Sequence, residues 1–262
     1  MTAAAAHPSI VRFEMREHVA LLTLDDPDRR NALSRRLVAG IMAGLDAAEQ
    51  HNARAIVLTG AGKAFSAGAD IADLLQAGWM EGTGKDPDPV DVFERLACHP
   101  RPVIAAVQGA AYGGGFEMTL CCDLVVASPE AAFAVPEIKH GVIPNTGLAR
   151  LAAIVGSRRA LEFALTGRKI DVEEAHRLGI VNIVTASGEA VATAAALAVD
   201  IVRTASPGAI AALKDSTRRH AGTDWAEVRA SLGRIPAAEW REGLGAFLEK
   251  RRPDYQRFWS GS

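Results

Sequence analysis

The sequence predicts an α/β fold, and three observations carry that prediction. As far as residue 127, short apolar runs that end on turn signals alternate with helically spaced apolar positions. From Leu148 onward the periodic segments are almost all helical. The composition, 49% apolar and 23% charged over 262 residues, is that of a chain able to bury a large core. Strands alternating with helices favour an α/β core. We therefore expect a core over residues 1–205 that carries the active site, followed by a helical region over 206–262.

The elements follow in order. Val19–Leu24 is an apolar run stopped by Asp25-Asp26-Pro27, so it reads as a strand. Ser34 precedes Leu37, Ile41, Leu45 and Ala48, a helix with one buried face and an N-cap. Ala55–Thr59 and Val103–Val107 read as buried strands, stopped by glycines at 60, 62 and 109. A helix opens within Gly113–Gly115 and runs to about Cys121, before a strand at Leu124–Ala127. Helices are then expected over Leu148–Val155, Ser157–Leu165, Val172–Leu178, Glu189–Arg203, Pro207–Arg219 and Ala237–Lys250, with one strand at Ile180–Val184. Gly78–Pro89, with three glycines and two prolines, reads as a mobile surface loop of the kind that lines binding sites.

Several function classes are disfavoured. A formal net charge of −2 does not suit a nucleic-acid binder. The longest stretch without charged side chains, Pro102–Phe116, is 15 residues with four glycines, too short and too glycine-rich for a membrane span. Three cysteines, Cys98, Cys121 and Cys122, form no CxxC and suggest a reduced, cytoplasmic setting. MTAAAAHPSI lacks the basic and apolar regions of a secretory signal. Ser66 does not sit in G-x-S-x-G, no phosphate-binding glycine-lysine loop is present, and the glycines of 109–115 do not spell G-x-G-x-x-G. The histidines form no HExxH, so no metal site is expected.

Chemistry is suggested at three places. Gly113-Gly114-Gly115 follows a strand and opens a helix, where unpaired N–H groups and the helix dipole suit a developing oxyanion. Glu117, one turn on, can reach the same spot. A tight strand-to-helix connection with Glu117 in solvent fits the same residues. Glu137 follows 20 positions later, and two carboxyl groups converging on one site would separate in pKa, as acid–base work requires. A solvated turn is the simpler reading of an isolated Pro-Glu. Gly60–Ile71 is a loop with little side-chain bulk that could present a second backbone donor, with Asp70 suited to cap the helix after it. His140, close to Glu137, reads as structural.

Together these segments resemble the crotonase (enoyl-CoA hydratase/isomerase) superfamily. The resemblance rests on GKAFSAGADI at 62–71, VQGAAYGGGFEMTLCCD at 107–123, FAVPEIKHGVIP at 133–144, LTGRKIDVEEAHRLGIVNIV at 165–184 and EGLGAFLEKRRP at 242–253. It implies a spiral of ββα turns, trimers that pair into hexamers, and an acyl-CoA thioester substrate with no separate cofactor. The helical C-terminal region would serve oligomerisation and CoA contact. The resemblance implies that the N–H groups of Ala69 and Gly114 hold the thioester oxygen. It makes Glu117 the activator of water and Glu137 the donor of a proton to the α-carbon. Ala67, Asp70, Phe247 and Lys250 are implied at the CoA moiety, Lys250 suiting a phosphate as a point charge. The implied reaction is syn hydration of a trans-2-enoyl-CoA. A carnitinyl-CoA-type dehydratase, an isomerase and a non-catalytic acyl-CoA-binding protein remain alternatives. Two residues depart from typical hydratases: Asn145 stands where a glycine follows Ile-Pro, and Ala72 where lysine is common.

Overall fold

Two sheets grow side by side as the chain winds. The computed structural model describes residues 10–76, 78–80, 87–221, 224–231, 233, 235–255 and 258. β1 (Val11–Arg16) and β2 (Val19–Leu24) form an antiparallel hairpin. Its two-residue turn, Glu17-His18, has φ of 46° and 68°, without the Asn-Gly pair that usually marks such turns. For that reason β1 leaves no hairpin signal in the sequence. A single 3-10 turn, Pro27–Arg29, leads to α1 (Arg35–Gln50). The Ser34 side chain accepts the Leu37 N–H, and Leu37, Ile41, Leu45 and Ala48 are buried, as the periodicity predicts.

Three ββα turns follow. β3 (Ala55–Gly60) joins the large sheet and β4 (Ala64–Ser66) the small one, before α2 (Ile71–Gln76) and α3 (Pro89–Cys98). β5 (Val103–Val107) and β6 (Ala110–Tyr112) repeat the step and lead into α4 (Gly114–Cys121). β7 (Leu124–Ala127) and β8 (Ala132–Ala134) repeat it again, before a 3-10 turn at Glu137–His140, α5 (Gly147–Val155) and α6 (Ser157–Thr166). β9 (Ile170–Asp171) pairs with β8, and α7 (Val172–Arg177) leads to β10 (Ile183–Val184) beside β7. The large sheet has the order β1-β2-β3-β5-β7-β10 and the small one β4-β6-β8-β9. The chain closes with α8 (Ala190–Thr204), α9 (Pro207–Ala221), α10 (Trp225–Ser231) and α11 (Ala237–Leu248).

The central strands read as unbroken apolar runs because both faces of a parallel sheet are covered. Ile56, Leu58, Val103 and Ala105 face the main core. Val57, Ile104, Ala106 and Val126 face α8 through its Ala190, Ala194 and Ala198. No single described helix is long and apolar enough to cross a membrane.

Some expectations need correction. The loop reading of Gly78–Pro89 runs too far: Asp88 and Asp91 form a capping box and Pro89 is the first residue of α3. Residues 81–86 of that stretch lie outside the described residues. The strand expected at Ile180–Val184 shortens to its last two residues, because Ile180 and Val181 bond back to Ala175. β4, β6 and β8 leave no mark in the sequence, because three residues are too few to show a period.

Candidate active site

The site forms where the starts of two helices meet the loop that follows β4. α4 is buried on every side, with Glu117 its one charged residue. Its first turn packs so closely that a Cβ on Gly115 would lie 2.4 Å from the Ser66 carbonyl oxygen. Gly113, at φ +53° and ψ −129°, holds a backbone geometry that L side chains resist. Glu117 therefore faces inward at 5% exposure, and the solvent-facing reading is excluded.

The Glu117 carboxyl is held by the N-terminus of α5. Its Oε1 accepts the Thr146 N–H at 2.9 Å and the Gly147 N–H at 2.6 Å. Gly147 is glycine because a Cβ there would stand 2.8 Å from Glu117 Cγ. Burial raises the Glu117 pKa to about 7, against the lowering effect of the two N–H donors. Glu137 begins the 3-10 turn, and its carboxyl lies against Gly113, with Oε1 3.1 Å from where a Cβ would be. Both its carboxyl oxygens are buried without a hydrogen-bond partner. Burial first, and then the charge of Glu117, push its pKa well above the ordinary carboxylate range. The two acids thus differ in kind: one is braced by donors and the other has none.

Two backbone N–H groups accompany them. Leu33 bridges Ala69 in parallel fashion, donating to the Gly68 carbonyl and accepting from the Asp70 N–H. Such a bridge engages the neighbours of Ala69 and turns the Ala69 N–H to the other side. Gly114 opens α4, so its N–H has no acceptor within the helix. A Cβ on Gly114 would sit 3.6 Å from the Ala69 nitrogen, so the two donors are neighbours.

The loop carrying Ala69 is tied down by residues that the sequence did not single out. Asn31 is fully buried, and its Nδ2 donates to the carbonyls of Ala61, Ala64 and Phe65. The Ser66 hydroxyl donates to the Asn31 carbonyl and accepts the Gly68 N–H. The sequence shows only an Asn in an Arg-Asn-Ala-Leu context, and nothing local announces that it folds at φ +53°. Asn31→Ala should take this donor from two buried carbonyls, those of Ala64 and Phe65, and lower unfolding stability by about 2 kcal/mol, at 1–3 kcal/mol per lost partner. Denaturant titration checks this, and a variant as stable as the parent would remove Asn31 from that role.

A cavity of about 320 Å³ joins these parts. Ala67, Ala69, Asp70, Gly114, Glu117, Glu137, His140 and Phe247 all line it. Asp70 caps α2 through the Asp73 N–H at 3.1 Å, and it pairs with Arg29. The Ala67 N–H donates to the Arg30 carbonyl. Phe247, half exposed, meets the His140 ring edge-on at 5.0 Å. Lys250 lies exposed just past α11 and is not among the lining residues. Trp79 and Met80 are buried in the cavity wall. Among the described residues no three His, Cys, Asp or Glu side chains cluster as metal ligands.

The family model described as enoyl-CoA hydratase/isomerase matches residues 14–257. The chain is 36% identical over 249 residues to the 2,3-dehydroadipyl-CoA hydratase of Escherichia coli, covering 92% of this chain and 96% of that protein. Among solved structures, a carnitinyl-CoA hydratase from Mycobacterium avium matches with TM-score 0.79 and 31% identity, over 96% of this chain and 100% of that one. An enoyl-CoA hydratase from Mycobacterium tuberculosis matches with TM-score 0.72 and 32% identity, over 94% and 98%. With its alternating ββα turns and a family match across nearly its whole length, the chain belongs to the enoyl-CoA hydratase/isomerase family, the crotonase superfamily.

Proposed function

We propose that this protein is an enoyl-CoA hydratase that adds water reversibly, on one face, to a trans-2-enoyl-CoA. The observation that carries the reading is the pair of unlike carboxyl groups on one cavity beside two backbone N–H donors. Glu117 ionises more readily because its Oε1 is held by two N–H groups. Glu137, without a donor and beside that charge, keeps its proton.

The roles follow from those states. Glu117 takes a proton from water as the water oxygen bonds to the β-carbon. The electron pair of the double bond moves onto the thioester oxygen, where the Ala69 and Gly114 N–H groups hold it. Glu137 then delivers its proton to the α-carbon. H and OH have been added, Glu117 is protonated and Glu137 ionised, and transfer of one proton between them resets the site. No electron acceptor enters this balance. Ala67, Asp70 and Phe247 border the mouth through which CoA would extend, and Lys250 could reach its phosphates from beyond α11. We further propose a trimer or hexamer working in the cytoplasm, with residues 206–262 contributing to assembly.

Hydration of crotonyl-CoA, followed by loss of enoyl-thioester absorbance, tests the reading. Isomerisation without water uptake would replace it with the isomerase. Dehydration of a carnitinyl-CoA analogue is the same chemistry reversed, and the likeness to a carnitinyl-CoA hydratase favours keeping it as the second reading. The rate should also follow both carboxyl groups. Glu117 acts as the anion, so kcat/KM should fall as pH drops through about 7. Glu137 acts as the acid, so a second limb should fall at higher pH. A profile flat on the acid side would remove Glu117 as the base.

A further inference from the structure

The Trp79 indole lies in the cavity wall at 4% exposure, and its Nε1–H is buried without an acceptor. Nearly all buried polar groups in folded proteins are paired, and an unpaired donor costs stability. Phenylalanine would fill an apolar wall without that cost. The surrounding wall is apolar, made by Leu74, Met80, Val90, Phe93, Val142 and Ile143. Asn145, another polar side chain in it, already bonds at both ends of its amide: its Nδ2 donates one N–H to the Val228 carbonyl at 3.2 Å, and its Oδ1 shares the Thr146 N–H, at 2.9 Å, with Glu117 Oε1. Beside Glu137, whose proton is assigned to the α-carbon, Trp79 is the lining residue whose polar group is buried with no partner, and an oxygen on the ligand would supply one. The thioester oxygen already has Ala69 and Gly114, so the oxygen in question belongs elsewhere on the acyl chain.

Charge narrows the choice. Asp88, Glu117 and Glu137 line the same cavity, and Arg29, the single Lys or Arg among the described lining residues, is paired with Asp70. Burial and Lys139 lower the His140 pKa, which favours its neutral form. A tail carboxylate would enter beside acids with no free cation to meet it. Indole N–H donates one bond and accepts none.

Resting on the hydratase reading, we propose that Trp79 is a specificity-determining residue. Its indole N–H donates to a neutral oxygen, a ketone, hydroxyl or ether, carried on the acyl chain beyond the reacting double bond.

The test compares the wild type with Trp79→Phe, which keeps a ring and removes the N–H. The probes are trans-2-enoyl-CoA thioesters matched in length: one all-carbon, a set with a single methylene replaced by an ether oxygen or carbonyl at successive positions, and one ending in a carboxylate. We expect the wild type to favour one oxygenated member over its all-carbon match by about tenfold in kcat/KM, the worth of one buried hydrogen bond. Trp79→Phe should bring that ratio to about one. Because the readout is a ratio within each protein, a general loss of rate or stability cancels. The proposal is overturned if the wild type favours no oxygenated member, if the carboxylate is the preferred tail, or if Trp79→Phe leaves the ratio unchanged. Calorimetric titration with the saturated thioesters asks the same question without turnover. A preserved binding ratio with no hydration of any probe would support the Trp79 role and sink the hydratase reading.

Discussion

Glu137→Gln and Glu117→Gln are each expected to lower kcat by at least the ~10²–10⁴-fold typical of general acid–base groups. Both substitutions preserve shape. In Glu117→Gln the amide oxygen can still accept the Thr146 and Gly147 N–H bonds that hold the carboxyl now, but an amide takes no proton from water. In Glu137→Gln the amide would fill the space beside Gly113 but has no acidic proton for the α-carbon. Affinity for a saturated acyl-CoA should change far less than kcat, because neither proton transfer is part of binding. A variant that hydrates crotonyl-CoA near the wild-type rate would make its carboxyl structural. Stability should move the other way for Glu137→Gln. A carboxyl whose folded pKa is raised leaves stability intact below its unfolded value and withdraws it as pH rises toward the folded value. The melting temperature of the Glu137→Gln variant should thus exceed that of the parent by a margin that widens as pH rises above the ordinary carboxylate range. A margin independent of pH would contradict the raised pKa.

Gly114→Pro removes one of the two donors proposed for the thioester oxygen. Proline has no N–H, yet it is tolerated in the first turn of a helix, and Gly114 is the first residue of α4. Loss of one oxyanion donor typically costs roughly 10²–10³ in rate. Gly114→Ala separates donor loss from crowding. It keeps the N–H and adds a Cβ 2.9 Å from the flexible end of Leu33 and 3.6 Å from the Ala69 nitrogen. Its rate should fall between those of the wild type and the proline variant. Circular dichroism identifies a misfolded protein, and a folded Gly114→Pro at full activity would show that this N–H does not touch the developing charge.

Local sequence is enough for the elements that are long enough to show a period. Ala55–Gly60 and Val103–Val107 are apolar throughout because both sheet faces are covered. α1 carries its cap and its stripe in the order they are used. The glycines of 113–115 and the two glutamates are legible as candidates through the family resemblance, since the local pattern alone fits equally a solvent-facing Glu117 and a solvated turn at Glu137. What those candidates can do depends on contacts between distant parts of the chain. The N–H groups that brace Glu117 come from positions 29 and 30 residues further on. The Ala69 N–H is turned to the other side by a bridge to Leu33, and its loop is tied by Asn31. Trp79, expected on a mobile surface loop of the kind that lines binding sites, does line the cavity but is buried there with its donor unpaired. The reason is common to all three. Propensity and periodicity are properties of neighbours along the chain, whereas desolvation and hydrogen-bond partnership belong to groups that only folding brings together, and they set protonation and ligand choice.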